Sequence, residues 1–349
     1  MGARGSSDGE EATIVKTVKR EVEARLPTDL ALLVMAFAAI PPGDDGAHSN
    51  TFRMRSFQCP RRTEGPLSVF QSTSGSVALL GNIAFVTGLC SVCNGAHLLR
   101  RDLALEDRWT MVSPSTRFSG SCWVAVSAHS RSAVWATSTG RVAHFAIDDA
   151  QSCQTFRISL TSHRKGIWED LLGIAFHQKQ LLVATQVHLT ECSSLLVSRW
   201  VIPRPGEADS EIARLVANPS TVLLDCGQTW ASVALCYDSR HDCCFVAPYG
   251  GKLYKVSETT TTILKFRLGE GVLKGVVSHV SAMSISVDSE TLYVRDDAAA
   301  DIHCFSTEHG KLLRRLSRPR KAIALAVHQA LDVPFLLTSL ALYAWPSES

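Results

Sequence analysis

A strand-turn-strand unit recurs along most of the chain. Its clearest copy runs from Val124 to Thr137 as an apolar run, a polar tip and a second apolar run, and a glycine turn then leads into Gly140–Ile147. The polar tips of the copies are His129, His177, Asp238, Asp288 and His328. Units of four short strands that repeat every 40–50 residues or so are typical of a β-propeller.

We count six units and predict an all-β, six-bladed propeller over residues 67–349. A seven-bladed ring is the alternative, with one blade misread in the third unit. The predicted units are Ser76–Pro114, Cys122–Leu160, Leu171–Leu224, Trp230–Leu268, Val280–Leu316 and Ala322–Trp345. The last unit stops after its third strand. We expect Leu67–Gln71 to supply the fourth strand and to hide the sheet edges that an open array would expose.

Composition places the chain among globular proteins. Hydrophobic residues make up 46% and charged residues 19%, which is ample for a core, and the net charge of +2 argues against a surface built for nucleic acid. No apolar stretch reaches the roughly 20 residues that a membrane span needs. The eleven cysteines are unevenly spaced and lie mostly in apolar runs, as free thiols do in a reducing compartment. We therefore predict a cytoplasmic location, with the nucleus as the alternative.

Chemical motifs are sparse. Cys90 and Cys93 form a single CxxC with His97 nearby, whereas a structural zinc site needs four such ligands, so core or loop cysteines are the better interpretation. Histidine and aspartate at the repeat tips are interpreted as turn residues, because Asp, Ser and similar side chains serve turn geometry. No catalytic or phosphate-binding motif occurs. We predict that the protein is not an enzyme and binds no metal or cofactor.

The N-terminal part differs from the repeats. We predict disorder over residues 1–10, two short helices within 11–40 and a basic linker over 41–66. Gly2, with Ser6 after it, fits the N-myristoylation pattern and is a candidate modification site. One acyl chain alone would give marginal, reversible membrane association.

The stretch Leu26-Pro-Thr-Asp-Leu-Ala-Leu-Leu-Val-Met-Ala-Phe37-Ala resembles the opening of an F-box. That resemblance implies docking on a Skp1-type adaptor of a cullin ubiquitin ligase, with a C-terminal WD40-like propeller that captures a client protein. The candidate contact residues are Leu26, Pro27, Leu30, Leu33, Val34 and Phe37. A helix that is apolar nearly all round must be covered on more than one side. The cover is either such a partner or the propeller itself.

Two loops of the predicted propeller are candidate partner contacts. One carries Arg164, Lys165 and Trp168, since aromatic and arginine side chains often anchor interfaces. The other is a basic run that could bind an acidic peptide or a phosphate. Its candidate residues are Arg314, Arg315, Arg318 and Arg320. Ser317, which follows two arginines, resembles a basophilic kinase site, and phosphate there would reverse the local charge.

The sequence is compatible with three functions. The first is a non-enzymatic interaction scaffold that serves as the client-recognition adaptor of a Skp1–cullin ubiquitin ligase. The second is a structural propeller subunit of a larger assembly, with the N-terminal helices packed on the propeller. The third is a metal-dependent six-bladed hydrolase, which lacks a ligand set in the sequence.

Overall fold

A computed structural model of the chain describes the segments that form the repeats. They are residues 51–53, 70–90, 95–106, 109–112, 121–149, 153–158, 168–177, 180–188, 193–202, 214–215, 222–224, 233–248, 253–257, 261–264, 279–297, 301–317, 322–328, 332–338 and 341–344. Within these residues, no helix is long and apolar enough to cross a membrane.

The described strands, numbered β1 to β25 along the chain, form six antiparallel sheets. Sheet 1 consists of β2 (Phe70–Leu80), β3 (Ile83–Cys90), β4 (Ala96–Asp102) and β5 (Thr110–Val112). Sheet 2 consists of β6 (Cys122–Ser127), β7 (Ser132–Thr137), β8 (Arg141–Ala146) and β9 (Cys153–Arg157). Sheet 3 consists of β10 (Trp168–His177), β11 (Gln180–His188), β12 (Ser193–Val201), β13 (Arg214–Leu215) and β14 (Val222–Leu224).

The remaining three sheets follow in the same way. Sheet 4 consists of β15 (Val233–Asp238), β16 (Cys243–Pro248), β17 (Leu253–Ser257) and β18 (Thr261–Leu264). Sheet 5 consists of β19 (Val280–Ile285), β20 (Thr291–Asp296), β21 (Asp301–Ser306) and β22 (Leu312–Ser317). Sheet 6 consists of β23 (Ala324–His328), β24 (Val333–Leu337), β25 (Ala341–Ala344) and, from the far end of the chain, β1 (Thr51–Arg53).

The sheets stand in a ring around an axis. The first strand of each sheet contacts the first strand of the next, and β23 of sheet 6 returns to β2 of sheet 1. Each sequence unit corresponds to one of these sheets, so the predicted all-β propeller is confirmed.

Apolar packing between neighbouring sheets explains the strand sequences. Six buried clusters occur among the described residues, and each joins one sheet to the next. A middle strand is covered on both faces, so all six residues of β7 and of β16 are buried. This two-sided burial accounts for continuous apolar runs, such as Ala133–Ala136, where a one-sided sheet would alternate.

The predicted closing strand is wrong. Phe70 and Gln71 begin β2, where Phe70 pairs with Cys90. The fourth strand of sheet 6 is β1, which pairs with β25 through Phe52 and Leu342. Residues 51–53 of the predicted linker therefore belong to the propeller. Three residues inside a polar, basic stretch carry too short a pattern to reveal a strand.

The ring has two distinct ends. We call the end at which Cys122, Val233 and Val280 start their strands the channel face, because the central cavity described below lies there. We call the opposite end the turn face, since it carries the turns after Ser127 and Asp238.

Turn chemistry confirms the interpretation of two repeat tips, Asp238 and Asp288, as turn residues. The buried carboxylate of Asp238 accepts hydrogen bonds from the backbone N–H groups of Arg240 and His241, at 3.0 and 3.3 Å. Asp288 accepts from the backbone N–H of Glu290 at 2.9 Å, and its bond with the Ser286 hydroxyl holds the pKa of Asp288 below its ordinary value. These side chains close the turns that join neighbouring strands.

The tip of sheet 6 is different, because His328 is fully buried at the end of β23 and packs against the ring of Phe335. Burial lowers the pKa of His328 to about 4. The unfolded chain therefore binds a proton below about pH 6.5 that the folded protein takes up only near pH 4. The neutral, buried His328 side chain therefore contributes its full stabilisation above about pH 6.5, and this stabilisation is lost as the pH falls from there to about 4.

We predict that acidification from pH 7 to pH 5 costs about 2 kcal/mol of unfolding free energy through this residue. Urea denaturation at the two pH values measures the change, and His328→Phe should reduce it by that amount. His129→Phe, at the exposed tip of sheet 2, is the matched control and should leave the change as in the wild type. Equal pH dependence in the wild type and in His328→Phe would contradict the assignment.

Candidate functional site

A cavity of about 560 Å³ lies on the axis of the ring. The first strand of every sheet contributes to its wall, mostly through residues near the channel face, such as Trp123, Val233 and Ile323. An inner strand has no partner along its axial edge, so its backbone polar groups add to the lining. A concave site with a few convergent polar groups is the default place to look for binding.

Two glycines in the wall allow inner strands to approach closely. A Cβ atom on Gly173 would lie 2.7 Å from the backbone oxygen of Val233 in the next sheet. A Cβ atom on Gly75 would lie 2.8 Å from Cδ1 of Ile323 in sheet 6. Both contacts are shorter than real Cβ atoms tolerate. Position 173 requires glycine because the neighbouring atom is backbone, whereas the end of the Ile323 side chain could move away from a Cβ atom at position 75.

A cluster of three polar side chains stands at one side of the cavity. Arg295, at the end of β20, donates from Nη2 toward Oδ1 of Asp297 over 2.7 Å. Ser281 donates its hydroxyl to the same Oδ1 over 3.0 Å. The side chain of Arg295 is 8% exposed and that of Asp297 is 30% exposed, so solvent weakens this ion pair little.

Local irregularities in the inner strands shape this end of the cavity. The register of β19 shifts between Val280 and Ala282, which sets Ser281 outside the regular ladder, beside Asp297. The register of β10 shifts between Leu171 and Gly173, just before the glycine that touches Val233. A β-bulge bends its strand and re-aims side chains, and bulges are common beside binding sites.

The rest of the described lining is uncharged. Cys122 is buried, and burial raises the pKa of its thiol to about 11, so the thiol is neutral at physiological pH. Arg295 and Asp297 are the charged residues among the described lining, and their formal charges cancel. The cavity therefore offers hydrogen-bonding groups without a net charge.

The opposite, turn face is held rigid across sheets. Arg240 of sheet 4 donates from Nη1 to the backbone oxygen of Asp288 in sheet 5, at 2.6 Å. The backbone N–H of Val287 in sheet 5 donates to Oδ1 of Asp332 in sheet 6, at 3.4 Å. The side chain of Val287 is more than half exposed between these bonds. Hydrogen bonds therefore link three neighbouring sheets on this face.

Other reactive side chains in the described residues serve the fold. The free thiols of Cys236, Cys244 and Cys304 are buried, as the sequence predicted, and burial raises their pKa values. His241 Nδ1 contacts Oδ2 of the buried Asp238 at 2.6 Å, which fixes the turn. Among the described residues, no group of three His, Cys, Asp or Glu side chains could hold a metal ion.

The residues predicted from sequence are placed only in part. Trp168 begins β10 and Ser317 ends β22, and both strand ends lie at the channel face. Arg314 donates to the hydroxyl of Tyr293 at 3.2 Å and lies with Arg315 on the outer strand of sheet 5. The others fall outside the described residues: Gly2, Leu26, Pro27, Leu30, Leu33, Val34, Phe37, Arg164, Lys165, Arg318 and Arg320.

Sequence reasoning missed Arg295, Asp297 and Ser281. Arg-Asp-Asp at 295–297 resembles an ordinary polar end of a strand, and Ser281 stands next to a strand start. The usable signal is positional: in a propeller, a charged residue just before the second turn of a unit lies next to the axis-facing first strand.

Comparison with known proteins supports the fold. No protein-family model and no curated protein matches the chain. A structural-genomics protein of unknown function from Bacteroides thetaiotaomicron has 10% identity and a TM-score of 0.54, over 80% of this chain and 70% of that one.

Two further solved structures have TM-scores just below 0.5. The β-propeller domain of Myceliophteria thermophila Cps50 (Swd1) gives 0.49 at 10% identity, over 82% of this chain and all of that one. A chain of the nidogen/laminin complex gives 0.48 at 11% identity, over 75% of this chain and 86% of that one. At sequence identities this low, structural similarity gives information about the fold alone.

The close approach at Gly173 gives a test of the cavity wall. Gly173→Ala should destabilise the protein by about 2 kcal/mol, because the new methyl group meets backbone rather than a flexible side chain. Urea denaturation measures the loss. Gly81→Ala is the control: its Cβ meets nothing within 4 Å, although its φ of +52° costs about 1 kcal/mol of left-handed strain. An alanine at 173 that costs less than one at 81 would contradict the geometry.

Proposed function

We propose that the protein is a non-enzymatic interaction scaffold that binds a partner protein across its channel face. The observation that carries this proposal is the 560 Å³ cavity, with the buried Arg295–Asp297 pair in its wall. Interfaces draw most of their affinity from a few side chains that fill desolvated pockets. A preorganised cavity in a closed ring offers such a pocket with little cost of ordering.

The sequence-predicted contacts favour the same face. Trp168 starts β10 there, and Ser317 ends β22 there, where the predicted basic run continues. Because β10 is an inner strand and β22 an outer strand, a partner that spans this face from the axis to the edge of the ring would meet both strand ends. Phosphorylation of Ser317 would then bring negative charge to the edge of the binding surface.

The finer proposal is a WD40-like, six-bladed recognition subunit of a Skp1–cullin ubiquitin ligase in the cytoplasm. Strand β1 runs antiparallel to β25, with Thr51 opposite Tyr343, so the chain before Thr51 joins the ring at the turn face. An F-box-like segment that precedes β1 would thus be tethered at the end of the ring opposite the cavity. This arrangement supports simultaneous contact with the ligase and with a client.

Blocking the cavity tests the scaffold proposal. Ser121 is exposed at the channel face and lines the cavity, so Ser121→Trp should fill the mouth without disturbing the core. We expect partners captured by the wild-type chain to bind about tenfold more weakly or more, measured by quantitative pull-down. Ser239→Trp, exposed on the turn face, is the matched control and should retain them. Partners that bind all three proteins equally would refute binding at this face.

A second variant tests the adaptor role separately. Leu30→Asp combined with Phe37→Asp places two charges on the apolar N-terminal segment, which should abolish capture of a Skp1-type protein and a cullin. Ser121→Trp should retain that capture. Unchanged capture in the double variant, or none by the wild type, would reject the adaptor role. Loss of cooperative unfolding in the double variant would instead identify the segment as part of the core.

A further inference from the structure

The charged pair in the cavity specifies what kind of group can enter. We propose that the cavity recognises a neutral carboxamide, the side chain of Asn or Gln, presented by the bound partner. This inference rests on the proposed function, since it names the group that the partner places in the same cavity.

The first step is the charge balance. Arg295 and Asp297 lie 2.7 Å apart and neutralise each other, and the remaining described lining is uncharged. An incoming carboxylate or ammonium would lose its hydration without gaining a counter-charge, unless it broke this pair. A neutral polar group avoids that cost. The charge balance therefore selects against ionised side chains.

The second step is hydrogen-bond complementarity. A guanidinium is a donor only and a carboxylate is an acceptor only, so the pair presents a donor beside an acceptor. A carboxamide has the matching arrangement, with a carbonyl oxygen that accepts and an NH₂ that donates. Ser281 holds Asp297 in position through its 3.0 Å bond, so the acceptor is preorganised. A hydroxyl can also accept from Arg295 and donate to Asp297, but only through a single oxygen atom, whereas an amide carries its acceptor and its donor on separate atoms that can meet the two partners side by side.

The third step concerns the rest of the wall. Apolar residues from all six sheets line it, including Ile174, Leu235, Met283 and Leu325. Such a lining suits the methylene stem that carries the amide of Asn or Gln. The cavity volume also falls in the range of pockets that hold small ligands, so one side chain with its flanking backbone fits.

Capped amino acids of similar size test the charge selection. The probes are the N-acetyl methylamides of glutamine, glutamate and lysine, so the backbone is constant and only the side-chain end changes. Trp123 lines the cavity, and 5-fluorotryptophan labelling gives it a ¹⁹F signal that Trp123→Phe identifies. We expect the glutamine probe to shift this signal with an affinity about tenfold higher than that of either charged probe. Equal affinities for the three probes would overturn the proposal.

Changing the charge of the cavity provides an internal control. Asp297→Asn removes the negative charge from the cavity wall, so the preference should move from the glutamine probe to the glutamate probe. Arg295→Gln removes the positive charge from the wall, so it should favour the lysine probe. Dispersed ¹⁹F signals report whether each variant is folded, and Ser281→Ala offers a milder change that should weaken the glutamine probe without altering charge preference. Folded charge variants with unchanged preference would reject a role for the pair.

The source of the amide can also be distinguished. Butyramide carries the same group without a peptide backbone, and we expect it to bind more weakly than the glutamine probe. Equal binding of the two would point to a free small molecule and overturn the assignment to a partner side chain. The function test remains independent: if Ser121→Trp abolishes partner capture but the probes show no preference, the amide inference fails while the scaffold proposal stands.

Discussion

Closure of the ring is the constraint on which the rest of the structure depends. Each of the six apolar clusters joins two neighbouring sheets, so no sheet buries both faces until it has two neighbours. Sheet 6 makes this possible by combining β1 with the three last strands of the chain. The same closure brings six inner strands around one axis, and the cavity is the space that they leave. The candidate site is therefore a product of the ring rather than of any single sheet.

The cross-linked turns and the candidate cavity occupy different ends of this ring. On the turn face, Asp238 fixes the turn of its own sheet, and Arg240 links that sheet to the next one. On the channel face, register shifts at Ser281 and before Gly173 interrupt the regular ladders, and the Arg295–Asp297 ion pair lies in the cavity wall. Local departures from regular structure are expected where a fold carries its function.

Much of the fold could be predicted from sequence, because two-sided burial produces apolar runs that turn residues punctuate. The predicted unit Cys122–Leu160 matches the sheet formed by β6 to β9 closely. Strand β1 was not predicted, since Thr51–Arg53 has only three residues and pairs with a strand at the other end of the chain. Arg295 and Asp297 were not predicted for a related reason. They line a cavity on the axis of the ring, which forms only when all six units come together, and no local sequence pattern reveals that axis.

The pairing of β1 with β25 also bears on how the protein is made. During translation, Thr51–Arg53 emerges from the ribosome before the strands of sheets 1 to 5, whereas the strand around Leu342 emerges after them. Until then, β1 has no partner, and the faces of sheets 1 and 6 that meet in the finished ring are open to solvent. Contacts between such distant parts of a chain form slowly, and exposed apolar faces invite aggregation. Biogenesis of this ring should therefore depend on chaperones that shield the nascent chain until its last strand has emerged.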